Sequence, residues 1–524
     1  MKKSVKKYLG FLISCSVLSL STTSFADNPI VQTLYTSDPA PVVINGTCYV
    51  YTGHDEDTIV NNFYTMNDWR CYSSTDMVNW TDHGSPLSYS TFSWTKGDAW
   101  AGQVVERNGK FYYYVPMTQK NGAYAIGVAV SNSPTGPFTD AIGKPLVTYN
   151  GGQDIDPTVF IDDDGQAYLY WGNSNLYYVK LNKDMISYSG SVVKANPNPT
   201  NYTEGPWFYK RGGLYYMVYA GMGSGSENIQ YATSTSPTGP WTSKGVIMPT
   251  QGSSFTNHPG LVDYNGNSYF FYHNAALSGG GSYHRSVCVE QFKYNSDGTI
   301  PSMSMSTAGP KQIGNLDPYV QTEAETICWE SGIKTEKCSE GGMDVCYIEN
   351  GDYIKVKGVD FASGAASFDA RVASANSGGN IELRLDSPTG TLIGTCAVSG
   401  TGGWQTWTTK SCKVSGATGI HDLYLKFTGG SGSLFNFNWW KFSADSTPTP
   451  TPTPTPTVTP TPVLHDGDAN QDGKVNSTDL SIIKRVILET YTGTYSKAAA
   501  DINNDGNINS TDYSLIKRKI LSLS

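Results

Sequence analysis

Residues 38–51 read DPAPVVINGTCYVY: an apolar strand, an Asn-Gly turn and an aromatic-rich strand. Asn and Gly tolerate the positive φ of a tight turn, and alternating apolar residues on either side make this a β-hairpin signal. The phrase returns four times, as AGQVVERNGKFYYYV (101–115), DPTVFIDDDGQAYLYW (156–171), EGPWFYKRGGLYYMVYA (204–220) and NHPGLVDYNGNSYFFYH (257–273). Copies recurring roughly every 50 residues predict propeller blades or a solenoid. Closed as a ring, five blades bring the first residues of every copy to one central channel. Helical periodicity is nearly absent from this region, so the fold class is mostly β.

Three copies open on a carboxylic acid at the same phase: Asp38, Asp156 and Glu204. One Asp before Pro is an ordinary turn or strand-start residue. Three at one phase of a repeat, distant in the chain, point instead to acid–base chemistry. Glycoside cleavage needs a protonated carboxylic acid beside the leaving oxygen and an ionised carboxylate. Inversion sets them roughly 6.5–9.5 Å apart, so that a water fits between. A third carboxylate near the acid disfavours its ionisation by like-charge repulsion.

Composition narrows the field. A net charge of −9 leaves no basic surplus to displace phosphate counterions, which excludes a nucleic-acid partner. The 35 Tyr and 12 Trp are mostly sheet packing, with a few left for stacking on sugars. Residues 1–26 carry a secretion-signal pattern. Lys2, Lys3, Lys6 and Lys7 precede an apolar run, and Ser24-Phe25-Ala26 ends it. That run is too short to span a bilayer comfortably, and no other segment could. Export and no membrane span are therefore expected. Of nine cysteines, Cys15 lies in the signal and five lie between 328 and 412, an odd number whose pairing the sequence leaves open.

The expected domains are the signal at 1–26, the propeller at 27–316, a β-sandwich of jelly-roll type at 317–445, a Thr-Pro linker at 446–463 and a last module at 464–524. The sandwich follows from Gly-rich turns and alternating strands. The linker follows from proline, which favours extended polyproline II. The last module holds two loops 33 residues apart. Each has oxygen ligands at positions 1, 3, 5, 9 and 12, a main-chain carbonyl at 7 and Gly at 6. This is an EF-hand calcium loop with Asp at position 12. The first uses Asp468, Asn470, Asp472, Lys474 (through its carbonyl), Asn476 and Asp479. The second uses Asp501, Asn503, Asp505, Asn507 (through its carbonyl), Asn509 and Asp512. An apolar helical stretch follows each loop.

The tandem loops resemble a type I dockerin, the module that docks a secreted enzyme onto a scaffold's cohesin. The resemblance implies cohesin contacts at Ser477-Thr478 and Ser510-Thr511, with Lys484-Arg485 and Lys517-Arg518 beside them; helix capping is the plainer role of those hydroxyls. It also implies two alternative binding orientations.

The blade region resembles family 43 glycoside hydrolases, five-bladed propellers that act by inversion on arabinose- or xylose-containing polymers. Ser37-Asp38-Pro39, Asp154-Ile155-Asp156-Pro157 and Thr203-Glu204-Gly205-Pro206 carry the likeness. It implies Asp38 as general base, Glu204 as general acid, and Asp156 as the residue that raises and orients the acid. His258 then stands at the blade-five equivalent, as a calcium ligand or a water-mediated support. Arg285 would contact substrate. Trp100, Trp171 and Trp207 are candidate stacking walls, and His54 and Asp55 candidate rim residues.

The 319–443 segment resembles family 6 carbohydrate-binding modules. There Glu323 and Glu325 would hold a structural calcium. Tyr347 and Trp404 would stack a sugar and Asn436 would hydrogen-bond it, with Asn438 a rival. Calcium is thus expected in the last module, the sandwich and the propeller axis, and no organic cofactor.

Asn67-Asp68-Trp69-Arg70-Cys71-Tyr72 and Gly97-Asp98-Ala99-Trp100-Ala101-Gly102 look like the xylan-debranching branch of the hydrolases. The expected function is removal of α-L-arabinofuranosyl side chains from arabinoxylan on a cellulosome. A β-xylosidase or an endo-arabinanase is the alternative among enzymes, and pocket depth separates them. A non-catalytic carbohydrate-binding scaffold component is the alternative of another class; a lectin has no use for a paired acid and base.

Overall fold

A computed structural model describes residues 28–149, 153–223, 225–444, 467–503 and 505–522. The expected signal peptide and the Thr-Pro linker lie outside the described residues. The described chain forms two compact units, one up to residue 444 and one from residue 467.

Each of the five repeated phrases is an antiparallel hairpin at the start of its own sheet. In the first, Tyr35–Ile44 pairs with Thr47–Asp55 around Asn45-Gly46, both at positive φ (49° and 80°). That is the type I′ geometry whose twist matches the flanking strands. Outer strands complete each sheet, Asp68–Ser74 and Trp80–Asp82 in blade one and Glu227–Ser234 and Thr242–Met248 in blade four. Five such sheets make a five-bladed propeller. Residues 28–36 tie the first blade to the last: Ile30 N donates to Val287 O (2.9 Å) and Thr36 N to Arg285 O (2.9 Å). This closure carries Arg285 to the strand that holds Asp38.

The sandwich packs a six-stranded sheet on a five-stranded one. Its core includes Phe368, Trp440, Phe442, Leu425 and Ile381, all fully buried. The seam with the propeller is built rather than loose. Thr326–Ile327 pairs with Trp80–Asp82 as a further strand of blade one, which covers an otherwise open edge. Asn79 exchanges hydrogen bonds with the Lys357 backbone, 2.9 Å to its carbonyl and 2.8 Å from its amide.

The second unit has helices Ser477–Ile487, Lys497–Ala500 and Ser510–Ser522 around Ala469, Ile482, Ile483, Ala500 and Ile516. Its two loops fold alike. Gly473 N donates to Asp468 (2.8 Å), as Gly506 N does to Asp501 (2.8 Å). Asn476 caps the first helix in a capping box with Asp479, and Thr511 N donates to Asn509 in the second. The capping role thus sits on the asparagines. Ser477, Thr478, Ser510 and Thr511 stay exposed, as do Lys484, Arg485, Lys517 and Arg518.

Candidate active site

The three repeat-phase acids meet at one cavity of about 320 Å³, lined by Asp38, Asp156, Glu204, His258, Arg285 and ten further residues besides Gln153. Asp38 and Glu204 stand at irregularities of innermost strands, and Asp156 stands two residues before the innermost strand Thr158–Ile161. The register breaks between Ser37 and Ala40 and again between Glu204 and Trp207. Asp38 and Asp156 adopt φ of 51° and 56°. A left-handed Asp costs of order 1 kcal/mol or more and persists where surrounding structure fixes it, often at functional sites. Bulges of this kind re-aim a side chain out of the ladder, here into the cavity.

Asp38 sits among positive and polar groups. Arg285 Nη1 donates to its Oδ1 at 3.0 Å and Ser37 Oγ donates to its Oδ2 at 3.0 Å. Burial is the largest single influence and would raise this carboxyl, but Arg285 and its neighbours together outweigh it. With His273, His258 and the Ser37 bond, the arginine holds Asp38 below the ordinary carboxylate range. His273 is itself pushed down to about 3, by burial first and then by Arg285. It stays neutral, accepts the Asp38 N–H on Nδ1 (3.2 Å) and donates from Nε2 to Thr256 O (2.9 Å). Arg285 is fixed by Asp55, which accepts from Nε (2.9 Å), Nη2 (2.8 Å) and the backbone N–H (2.9 Å). Tyr64 lies 4.4 Å from the guanidinium.

The other carboxyls shift the opposite way. Burial raises Asp156 well above its ordinary range, and the Glu204 charge adds to this. Burial also raises Glu204, against the hydrogen bond donated by Asn173. A fourth acid, Glu227, stands close enough to Glu204 that each influences the other's ionisation. It is raised well above its range by burial and then by Glu204. Carboxyls this close titrate as a group, and protons are shared among them. The cavity therefore pairs one ionised carboxylate with a cluster that keeps protons near neutral pH. The expectation that Asp156 is what raises Glu204 needs adjusting: burial dominates there.

Other expected residues divide. Trp100 lines the cavity, 4.7 Å from the Tyr124 ring. Trp171 and Trp207 do not. Trp171 is fully buried and donates to Asp154 Oδ1 (2.9 Å). Trp207 is buried and donates to Leu261 O (3.1 Å). Blades pack on both faces, so these indoles fill the spaces between sheets. His54 also misses the cavity. It pairs with Thr36 in the sheet and bonds Asp68 through Nδ1 (2.7 Å), with Glu56 Oε1 at 3.9 Å. Side chains alternate along a strand; Asp55 turns to Arg285, so His54 faces the other way. His258 does line the cavity, 3.9 Å from Asp38. Burial holds it neutral, so its ring can accept a hydrogen bond or meet a cation.

Reading the sequence missed Glu227, Asn173, His273 and an aromatic collar. Phe63, Tyr64, Tyr283 and Phe255 contact one another at the cavity's mouth, with Phe63 and Phe255 about half exposed. A usable signal existed. Asp55, Asn173 and His273 stand at or just past the end of a second strand, which an antiparallel hairpin places beside the start of the first.

In the sandwich, Tyr347, Trp404 and Asn436 share a cleft of about 380 Å³ with Glu336, Cys346 and Ser433. Tyr347 is 65 % exposed at φ 55°, an outward aromatic on strained backbone. Asn436 donates to Glu336 (2.7 Å), whereas the rival Asn438 donates to Glu340 (3.2 Å) outside the cleft. Glu323 lies half-buried beside Gln321, and Glu325 is buried with one carboxyl oxygen lacking a hydrogen bond.

The calcium loops of the second unit present a hard, all-oxygen donor set that suits a divalent cation. Asp479 and Asp512 are fully buried, and among the described residues no lysine or arginine pairs with them.

Three family models match this chain: glycosyl hydrolases family 43 at residues 26–300, carbohydrate binding module (family 6) at 323–444 and dockerin type I domain at 466–521. The chain is 37 % identical over 506 residues to the arabinoxylan arabinofuranohydrolase of Bacillus subtilis (strain 168), covering 83 % of this chain and 98 % of that one. It is 33 % identical over 518 residues to the arabinoxylan arabinofuranohydrolase of Paenibacillus polymyxa, covering 85 % and 80 %. Among solved structures, a family 43 arabinoxylan arabinofuranohydrolase from Bacillus subtilis in complex with cellotetraose superimposes with a TM-score of 0.71. It is 36 % identical and covers 80 % of this chain and 99 % of that one.

Proposed function

The chain belongs to glycosyl hydrolases family 43, and from that premise we propose that it removes α-L-arabinofuranosyl side chains from arabinoxylan with inversion. Asp38, ionised beside Arg285, takes a proton from a water as that water attacks the anomeric carbon. Glu204 gives its proton to the departing xylan oxygen. The glycosidic C–O bond breaks, a new C–O bond forms on the opposite face, and one water is consumed. Asp156 donates no proton to substrate. It accepts the Gly205 N–H at 3.0 Å and so fixes the backbone next to Glu204. The relatives' activity supports the substrate, since they are arabinoxylan arabinofuranohydrolases aligned over most of both chains.

One observation carries the reading: a carboxylate held down by Arg285 faces proton-holding carboxyls across a single cavity. The test uses two leaving groups. Glu204→Ala should lose arabinose release from arabinoxylan yet keep much of its rate on an aryl arabinofuranoside, whose phenolate leaves without protonation. Asp38→Ala should lose both. Equal retention of arabinose release in Glu204→Ala would overturn the acid assignment.

The sandwich cleft is read as a sugar site, with Tyr347 and Trp404 stacking and Asn436 bonding. The last module is read as binding calcium through its two loops and a cohesin through the exposed Ser-Thr pairs. A further calcium in the sandwich rests on Glu323 and Glu325, and one at the propeller axis on His258. Together with residues 1–26, these features support a location outside the cell on a scaffold.

A further inference from the structure

The sandwich has a seam. Thr391–Ser399 is the last strand of its five-stranded sheet and Thr408–Lys413 the last of its six-stranded sheet. The two edges run past each other in opposite directions, and three ties fix their register. Lys410 Nζ donates to Ser399 Oγ at 3.0 Å. Ser415 N donates to Ile393 O at 2.9 Å. Gly394 lies so close to Lys413 that an added Cβ would sit 2.9 Å from its carbonyl oxygen. Between these ties stand Cys396, buried, and Cys412, half-buried. The ties bring Cys396 and Cys412 into register across the seam, and each thiol shifts the other's ionisation, Cys396 up and Cys412 down.

We propose that Cys396 and Cys412 form a disulfide that closes this seam and anchors the loop bearing Trp404. The chain between them, residues 397–411, leaves one edge strand and returns along the other. It carries Trp404 into the sugar cleft. On the way Gln405 donates to Glu336 (3.1 Å) and Asp344 (2.9 Å). A bond at the loop's base removes conformations in which the indole swings away, so less order has to be gained when sugar binds.

Cys338 and Cys346, on another hairpin, cannot pair with each other. Cys346 pairs opposite Lys334, while Cys338 sits beyond Lys337 at the tip of the same hairpin. Four strand residues separate them by roughly 13 Å, and a disulfide requires Cα atoms within about 7 Å.

The reaction balances as thiol–disulfide exchange. Cys412, the less buried member, attacks a small disulfide and forms a mixed disulfide, releasing one thiol. Cys396 then attacks the Cys412 sulfur and releases the second. Two S–H bonds are lost, one S–S bond forms, two electrons reduce the oxidant, and the two protons end on its thiols. The neighbouring Cys396 holds Cys412 below the ordinary thiol range, which favours the thiolate, the attacking form.

The test takes the full chain incubated with oxidised glutathione or with dithiothreitol, then denatured, alkylated and digested. Mass spectrometry should find 396 and 412 in one linked species in the first arm and both alkylated in the second. Alkylation of both in the oxidised arm, glutathione retained on Cys412, or linkage of either to another cysteine would overturn the proposal. A second readout uses Cys412→Ser. Oxidised wild type should bind xylohexaose roughly two- to tenfold more tightly than reduced wild type, and the variant should show no redox dependence. The binding arm rests on the cleft being a sugar site; the mass arm does not. A linked species with no xylohexaose binding in either state would therefore remove the sugar reading of the cleft and the loop-anchoring half of the proposal, leaving the bond itself.

Discussion

Arg285 and Asp38 are 247 residues apart in the chain and joined by a 3.0 Å hydrogen bond at the floor of the cavity. Closing the ring is what joins them: residues 28–36 run beside the strand that begins just after Arg285. The arginine is held by Asp55 from behind, so its charge is aimed rather than free to swing. The expectation that Arg285 contacts substrate is therefore joined by a second role, tuning the base.

That role predicts a pH shift. Burial is the largest single influence on Asp38 and raises it; Arg285 leads the neighbouring groups that together lower it below the ordinary range. With the guanidinium gone, burial dominates and the base protonates at higher pH. The acid-side limb of kcat/KM in Arg285→Gln, which removes the charge, should move upward by about one unit or more, a profile measured on an aryl arabinofuranoside. Arg285→Ala should also lose stability, by about 3–5 kcal/mol, because Asp55 remains buried without its partner. An unmoved acid limb would separate Arg285 from the base.

Asn173 predicts the opposite limb. Its amide donates to Glu204 and favours the ionised form. In Asn173→Ala that bond is lost, Glu204 holds its proton to higher pH, and the alkaline limb of kcat/KM should move upward. The rate at the optimum should fall, because the acid is no longer oriented. A downward shift of that limb would contradict the assignment.

The tryptophans predict a clean division. Trp100→Ala should raise KM roughly tenfold, equivalent to about 1.4 kcal/mol, with little change in melting temperature. Trp171→Ala should cost about 3–5 kcal/mol of stability and leave KM near wild type below its melting point. Calorimetry and steady-state kinetics on the two variants check this together.

In the sandwich, Trp404→Ala should weaken retention on insoluble xylan while leaving hydrolysis of a small aryl substrate unchanged. Affinity electrophoresis in xylan gels measures the first and a chromogenic assay the second. Equal retention would move the sugar site elsewhere.

Removing calcium should unfold the second unit, because carboxylates gathered in one loop repel until a cation neutralises them. A chelator should abolish cohesin binding by the full chain and reduce its helical circular dichroism. Asp479→Ala and Asp512→Ala should each weaken the effect of one loop, and the double variant should bind no cohesin with calcium present.

Much of this protein is written locally. Asn45-Gly46 and its counterparts make hairpins because those residues accept positive φ, whatever surrounds them. The calcium loops are equally local, since ligand spacing and the glycine bend lie within twelve residues. The repeat phase of Asp38, Asp156 and Glu204 carries further, because equal phase in a closed ring means equal distance from its axis. What the ring assembles across its circumference stayed hidden. Glu227 opens a third strand, and His273 and Asn173 stand at or just past the end of second strands, at no shared phase with the acids. Trp171 and Trp207 read as well for a sugar wall as for a packed core, since a blade is covered on both faces and the side-chain alternation does not say which face meets the cavity.

Local turn chemistry and spacing thus determined the hairpins, the loops and which three acids belong together. Tertiary structure alone decided which acid ionises. That outcome depends on burial and on charges brought within a few ångströms from distant strands, and no stretch of the chain contains both members of such a pair.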